Sequence, residues 1–240
     1  MKISIIIPVY NAEGYIEQCI LSALEQNYLD KEIIVVDNES TDDSYQTILN
    51  LNNKVGGFKI GQTENIYKYS WKEPTQYALS NLMAKDSEYF MFLAADDFLE
   101  KDFISNCFDI INKAPDKIKL LQSPIRFCGA WQHDQKYDYK SIEEFKQQFL
   151  MRCPVNTPTI IWHRSFYESG IMNRVDSNLY AGADDYMLYG HLANDNNFIY
   201  PAPKWLGYNY RIHDSQATWG MHKDYGGVDA KIQEFWRKRW

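Results

Sequence analysis

The chain has 240 residues, 45% of them hydrophobic, and a formal net charge of −7. That length fits one large domain or two small ones, and the acidic balance argues against nucleic acid as a partner. No apolar run approaches the roughly 18 residues of a membrane span, and the four cysteines are scattered with no CxxC pair, which predicts reduced thiols in a cytoplasmic protein.

The opening "MKISIIIPVYNAEG" is expected not to be a signal peptide, because its apolar run is short and Pro, Tyr and Asn follow at once. "KISIIIPV" reads instead as a strand buried on both faces, continuous and β-branched. Asn11 is placed to cap a helix running to about residue 26, with Ile16, Cys19, Ile20, Ala23 and Leu24 on one face. "KEIIVVD" is a second buried strand. "NESTDDS" supplies turn and capping residues before a helix marked by Tyr45, Ile48 and Leu49. "GGFKIGQ" is a weaker third strand. Residues 74–85 read as a helix with Ala78, Leu79, Leu82 and Met83 on one face. "YFMFLA" is a fourth buried strand, and a helix bearing Phe103, Ile104, Cys107, Phe108 and Ile111 follows. This alternation predicts an α/β fold with a mostly parallel sheet covered on both faces.

Past residue 117 the pattern loosens. "KIKLLQSPIRF" reads as a strand that Pro124 keeps at an edge or bulge. Residues 141–152 read as a helix, "TPTIIWHR" as a strand and "DDYMLYGHLAN" as a helix. No repeat, low-complexity tract or Gly/Ser linker divides the chain. One domain, 1–240, is expected, with a nucleotide-type first half (1–115), a more irregular second half (116–227) and a basic tail (228–240).

Open α/β sheets bind ligands at the carboxyl ends of their strands. Here those ends read "PVYNAEG", "VVDNESTDDS" and "LAADDF". A GxGxxG turn is missing after the first strand, which disfavours a nicotinamide enzyme. Pro8, Val9, Tyr10 and Asn11 can instead hold a flat base through backbone groups and a ring. Asp37, ending the second strand, can accept hydrogen bonds from a base imide or a ribose.

The run "SIIIPVYNAEGYIEQCILSALEQNYLDKEIIVVDNESTDDS" resembles the opening of a family 2 glycosyltransferase of the GT-A fold. "FLAADDF" falls where that family carries D-x-D-D, "GADDYML" where it carries an E-D pair opening a helix, and "YRIH" resembles its Y-R-x-H. The likeness is strong over 1–113 and looser over 155–218, whereas "WQHDQKYDYKSIEEFKQQF" matches nothing. The resemblance implies an inverting transfer from a nucleotide-diphosphate sugar, UDP-linked, to a glycan or lipid-linked acceptor, with Mn²⁺ or Mg²⁺ on the diphosphate. Ala95 and Asp96 join the nucleotide-binding set, and Asp96 and His213 become the metal ligands. Aligned on the paired acids, the first acid of the motif is Ala94 here, which puts donor affinity and metal dependence in question. Asp97 is expected to cap the next helix or brace the loop.

The E-D pair falls on Asp184 and Asp185. The resemblance makes Asp185 the general base and Asp184 an acceptor-orienting residue, with Ala181, Gly182 and Ala183 leaving room for a sugar. Both acids also suit a helix N-terminus for its dipole alone. His133, His163, His191 and His222 have no supporting pattern. The tail "VDAKIQEFWRKRW" places Ile232, Phe235, Trp236 and Trp240 on one face beside Arg237, Lys238 and Arg239. That face suits peripheral contact at the inner face of a membrane, or packing on the domain or a second subunit. Two other functions stay open: a nucleotide-sugar-binding module without catalysis, motivated by Ala94, and a nucleotidyltransferase.

Overall fold

The computed structural model describes residues 1–66, 70–129, 131–175, 182–216 and 227–240. Its centre is a sheet led by β1 (Lys2–Val9), flanked by β2 (Lys31–Asp37) on one side and β4 (Ser87–Phe92) on the other, both parallel to it. Beyond β2 lies the parallel β3 (Lys59–Gln62). Beyond β4 comes β9 (Ile160–His163), antiparallel, followed by β6 (Leu120–Gln122) and β10 (Tyr200–Pro201). The result is the mostly parallel, doubly covered sheet that the apolar runs predict.

The two faces divide the β1 side chains by parity. Ile3, Ile5 and Ile7 pack against α1 (Ile16–Leu24), α2 (Ser44–Val55) and α4 (Phe103–Ile111). Ile6 faces the other core, with α5 (Ile142–Phe149), α7 (Asp184–Asn194) and α8 (Val228–Arg237). A strand with covers on both faces needs no polar alternation, which explains the run Ile5-Ile6-Ile7; the buried Ser4 is satisfied by Glu32 and Ser87. The short α3 (Lys72–Tyr77) passes into a π-helical turn, Ala78–Leu82, where one continuous helix was expected. A short helix, α6 (Ser165–Glu168), follows β9.

A second sheet stands beside the first. Its strands run β5 (Phe98–Leu99), β11 (Tyr208–Ile212), β7 (Ile125–Gly129) and β8 (His133–Gln135). The single strand expected over "KIKLLQSPIRF" is therefore two strands in two sheets. Ser123 and Pro124 lie at the change of sheet, where Pro has no N–H to give to a ladder. Ser123 remains tied to the main sheet through its N–H, which donates to Thr159 O at 3.0 Å.

The tail helix α8 is docked on the domain. Ile232 and Trp236 are buried. Trp236 stacks on Trp240, which meets Phe149 of α5. Of the readings open for this face, packing on the domain is the one the structure bears out: it is turned into the core, where α5 and α7 present matching aromatic surface. Among the described residues no helix is long and apolar enough to cross a membrane.

Candidate active site

Three parallel strands of the main sheet end on the same edge. Val9 closes β1 opposite Asp37 of β2, and β4 runs into 94–97. Tyr10, next after β1, is 50% exposed, so its ring offers a flat surface at the rim. Asp37 is buried. Its Oδ2 accepts from the Ser40 N–H at 3.2 Å. Its Oδ1 is buried with no hydrogen-bond partner among the described residues. An orphaned buried acceptor costs about 1–3 kcal/mol, so this oxygen marks a place for a ligand N–H or O–H.

Asn11 does a different job from the one expected. It takes a left-handed backbone, φ 50°, a conformation Asn tolerates by local hydrogen bonding. Its Oδ1 accepts from Thr41 N at 2.8 Å, and its N–H donates to Ser40 Oγ at 3.0 Å. The Glu13 N–H donates to Asp42, and the Asp43 N–H to Glu13. These bonds lock the loop after β1 to the loop after β2. The α1 helix starts later, at Ile16, with no side-chain cap from its N-cap residue Tyr15. Asn11 therefore ties the two loops together and does not cap a helix.

Residues 94–97 form a tight turn in which the Asp97 N–H donates to Ala94 O at 3.0 Å. Ala95 is buried. Asp96 Oδ2 lies 3.0 Å from His213 Nε2, and both side chains keep some exposure, 26% and 15%. The His213 ring rests on Tyr15, centroids 4.6 Å apart, and its Nδ1 pairs with Ser215 Oγ at 2.9 Å. Arg211 donates from Nε to Asp96 O at 2.7 Å and from its guanidinium to Gln18 at 2.7 Å. Asp97 is buried and accepts from Tyr208 Oη at 2.6 Å and the Arg211 N–H at 2.8 Å. It braces β11; the N-cap of α4 is Asp102. Burial and the adjacent Asp96 push the Asp97 carboxyl well above the usual range.

Asp184 and Asp185 open α7 and diverge. Asp184 is buried and accepts from Ser70 Oγ at 2.9 Å, tying α7 to the entry of α3. Asp185 is half-buried. Its Oδ1 accepts from the Tyr186 N–H at 2.7 Å. Its Oδ2 accepts from the Thr157 hydroxyl, which in turn accepts from Tyr189 Oη at 2.6 Å. Thr157 opens a 3₁₀ turn, Thr157–Thr159, that leads into β9. Because β9 runs antiparallel to β4, with Trp162 opposite Phe90, that turn lies past the carboxyl end of β4, on the Asp96 side. Burial pushes the Asp185 carboxyl up to about 6; Thr157 and the Tyr186 N–H pull it down, while Asp184 and Asp229 add to the rise.

The fold thus brings Asp37, Asp96, His213 and Asp185 to one edge from four separate stretches. Ala181 and His222 lie outside the described residues. His163 and His191 serve packing, against Tyr89 and Trp236, and His133 lies beside Phe127. Sequence reasoning missed Thr157, Tyr189, Tyr208 and Ser70. None carries a local pattern, since each acquires its partner only through tertiary contact.

Asp96 and His213 offer one hard oxygen and one imidazole at hydrogen-bond distance, while Asp97 is already satisfied. No group of three or more ligating side chains exists among the described residues. Two ligands suit a cation whose other positions are filled by phosphate and water oxygens, and imidazole suits Mn²⁺ better than Mg²⁺.

The sequence matches the model of Glycosyl transferase family 2 over residues 4–176. The chain belongs to glycosyltransferase family 2. An uncharacterised glycosyltransferase of Mycoplasma genitalium is 30% identical over 228 residues, covering 90% of this chain and 72% of that protein. One from Haemophilus influenzae is 38% identical over 100 residues, covering 42% and 38%. The poly(ribitol-phosphate) β-N-acetylglucosaminyltransferase TarS of Staphylococcus aureus is 29% identical over 124 residues, covering 51% of this chain and 21% of TarS. This chain thus spans well under half the length of the last two relatives. TarS residues 1–349, solved with UDP-GlcNAc, superpose with a TM-score of 0.74 at 20% identity, covering 97% of this chain and 65% of that one. A mannosyltransferase of Pyrobaculum calidifontis, solved with GDP-Man and Mn²⁺, gives 0.64 at 16% identity over 92% and 60%. These likenesses establish the GT-A fold for the chain.

Proposed function

We propose that this chain transfers a sugar, with inversion, from a nucleotide-diphosphate sugar to a hydroxyl of a glycan or lipid-linked acceptor. The observation that carries the reading is the shared edge. Asp37 with its orphaned oxygen and the Asp96–His213 pair stand at neighbouring strand ends, and Asp185 stands across from them. UDP is the favoured nucleotide, supported by the TarS complexes with UDP-GlcNAc and UDP. Tyr10 offers a ring to the base, and Asp37 Oδ1 accepts from the base imide or the ribose.

Asp96 and His213 are the residues that would hold Mn²⁺ against the diphosphate. When bound, such a cation supplies Lewis-acid stabilisation of the departing diphosphate charge. The acceptor hydroxyl oxygen attacks the anomeric carbon from the face opposite the diphosphate. The bond from that carbon to the diphosphate oxygen breaks, and nucleoside diphosphate leaves. Asp185 takes the hydroxyl proton. A base is most effective when its pKa lies near working pH, and the raised carboxyl of Asp185 meets that demand.

The deciding experiment is Asp185→Asn. General base catalysis contributes about 10²–10⁴-fold, so nucleotide release from UDP-sugars with Mn²⁺ should fall by that order. UDP affinity, measured by calorimetry, should stay within twofold. Near-normal turnover in the folded variant removes Asp185 from the chemistry. Ala94 favours one second reading, a donor-binding module without turnover. Under it, wild type binds UDP-sugars and releases no nucleotide at any pH.

A further inference from the structure

Asp185 does not meet the cleft as a free carboxylate. Both of its oxygens are engaged, and the partners are of different kinds. Oδ1 takes a backbone N–H from the first turn of its own helix, 2.7 Å from Tyr186 N. Oδ2 takes the hydroxyl of Thr157, a residue 28 positions away on the turn before β9. Thr157 and Tyr189 are both buried, at 7% and 0% exposure.

We infer that Thr157, held by Tyr189, is a positioning residue that reserves Oδ1 of Asp185 for the incoming proton. This rests on Asp185 being the base. The argument is one of donor counting. A Thr hydroxyl has one proton to give, and a Tyr hydroxyl has one. Tyr189 stays protonated, because burial pushes its hydroxyl well above the usual range and the Asp185 charge adds to that. Its proton has one partner among the described residues, Thr157 Oγ1. The Thr157 proton must then point to Asp185 Oδ2.

The reverse polarity is costly. If Oδ2 took the proton, it would have to donate to Thr157, and Thr157 would have to donate to Tyr189. The Tyr189 proton would then be left without an acceptor in the core, an orphaned buried donor. Oδ1 has no such obstacle. Its N–H partner occupies one lone pair, and the second is open to a proton from the acceptor. The chain Tyr189→Thr157→Asp185 therefore selects one oxygen, fixes the carboxylate plane and favours the ionised form.

The groups facing Asp185 are Asp184 on its own helix, Asp229 on α8, and Cys153, Tyr186 and Tyr189. The two acids raise its proton affinity. Cys153 is buried, and its thiol is pushed well up by that burial. The proton affinity of Asp185 therefore reflects Thr157 and the Tyr186 N–H acting against burial and two acids.

The test is a carboxyl titration by NMR with ¹³C-labelled aspartate on the full chain, alongside the pH profile of UDP-GlcNAc turnover with Mn²⁺. Asp185→Asn assigns the resonance. Thr157→Val with Tyr189→Phe removes the hydroxyl without leaving the Tyr proton orphaned, so the protein stays folded. Losing a hydrogen bond to a charged group should raise the Asp185 midpoint by about one pH unit, tenfold in proton affinity. Thr157→Ser should keep the wild-type midpoint. Turnover should fall with KM for the donor unchanged, and its acid limb should move up with the midpoint. An unmoved midpoint in the double variant overturns the inference, as does a loss of turnover that Ser fails to rescue. A midpoint that moves while the acid limb stays put leaves the Thr157 contact intact and sinks the assignment of Asp185 as the base.

Discussion

Asp37 and Asp185 show how one residue type is put to two uses by its surroundings. Asp37 sits where a strand ends, with one oxygen held by Ser40 and the other buried without a hydrogen-bond partner among the described residues. Asp185 is held at both oxygens and raised to about 6 from an ordinary 3.8. That rise has a consequence for stability. The folded state binds this proton more tightly than the unfolded chain, so stability is greatest below about pH 4 and is lost as pH climbs through about 6. The size is on the order of 1–3 kcal/mol, from ~1.4 kcal/mol per unit less the screening of a part-exposed group. Asp185→Asn should remove this slope. Denaturant unfolding at pH 4.5 and 7.5 should show the variant gaining on wild type between the two. Parallel behaviour would mean that the carboxyl is not raised in the folded protein.

At the scale of elements, α7 is positioned from behind by α8. Gly190 of α7 is the point of contact: a Cβ there would lie 2.1 Å from Trp236 Nε1. Glycine is required by this close approach and not by its backbone angles. Gly190→Ala should gain about 1 kcal/mol of helix propensity and lose more by displacing Trp236. Overpacking costs about 1–3 kcal/mol, and stacked Trp240 moves with it. The variant should melt lower and lose nucleotide release together, since α7 carries Asp185. A variant that melts at or above wild type would show that Trp236 repacks freely. Elements like these mark the limit of what the sequence discloses. β1, β2 and β4 were legible because burial on both faces writes itself as apolar runs, Ile5–Ile7, Ile33–Val36 and Tyr89–Phe92. The break at Pro124 was visible as a disturbance, but not as a change of sheet. Nothing local says that Tyr208–Ile212 will pair with Ile125–Gly129, because parallel pairing across such a gap has no turn to signal it. Asn11 misled for a related reason. A residue suited to a helix cap is equally suited to a left-handed loop position, and the loop after β2 decides between them.

At the scale of the molecule, the candidate site is a product of both sheets. Asp37 and Asp96 come from the first, and His213 follows the second. Two ligands are too few for firm metal binding by protein alone. Mn²⁺ should therefore bind weakly to the free chain and at least tenfold more tightly with UDP present, a coupling of about 1.4 kcal/mol. Calorimetry with and without UDP, and with Asp96→Asn, measures it. Tight Mn²⁺ binding without nucleotide, or coupling untouched in Asp96→Asn, would rule this site out. The family was legible from motifs at strand ends, whereas the Thr157 contact was not, because it exists only once β9 is threaded beside β4. The Asp96–His213 contact has a temporal side as well. It joins residues 117 positions apart, and closing so long a loop is paid for before its contacts give anything back. During synthesis β1, β2 and β4 emerge and can pair long before Tyr208–Ile212 exists. The nascent chain therefore presents the strand ends that carry Asp37 and Asp96 first, and the imidazole that pairs with Asp96 last.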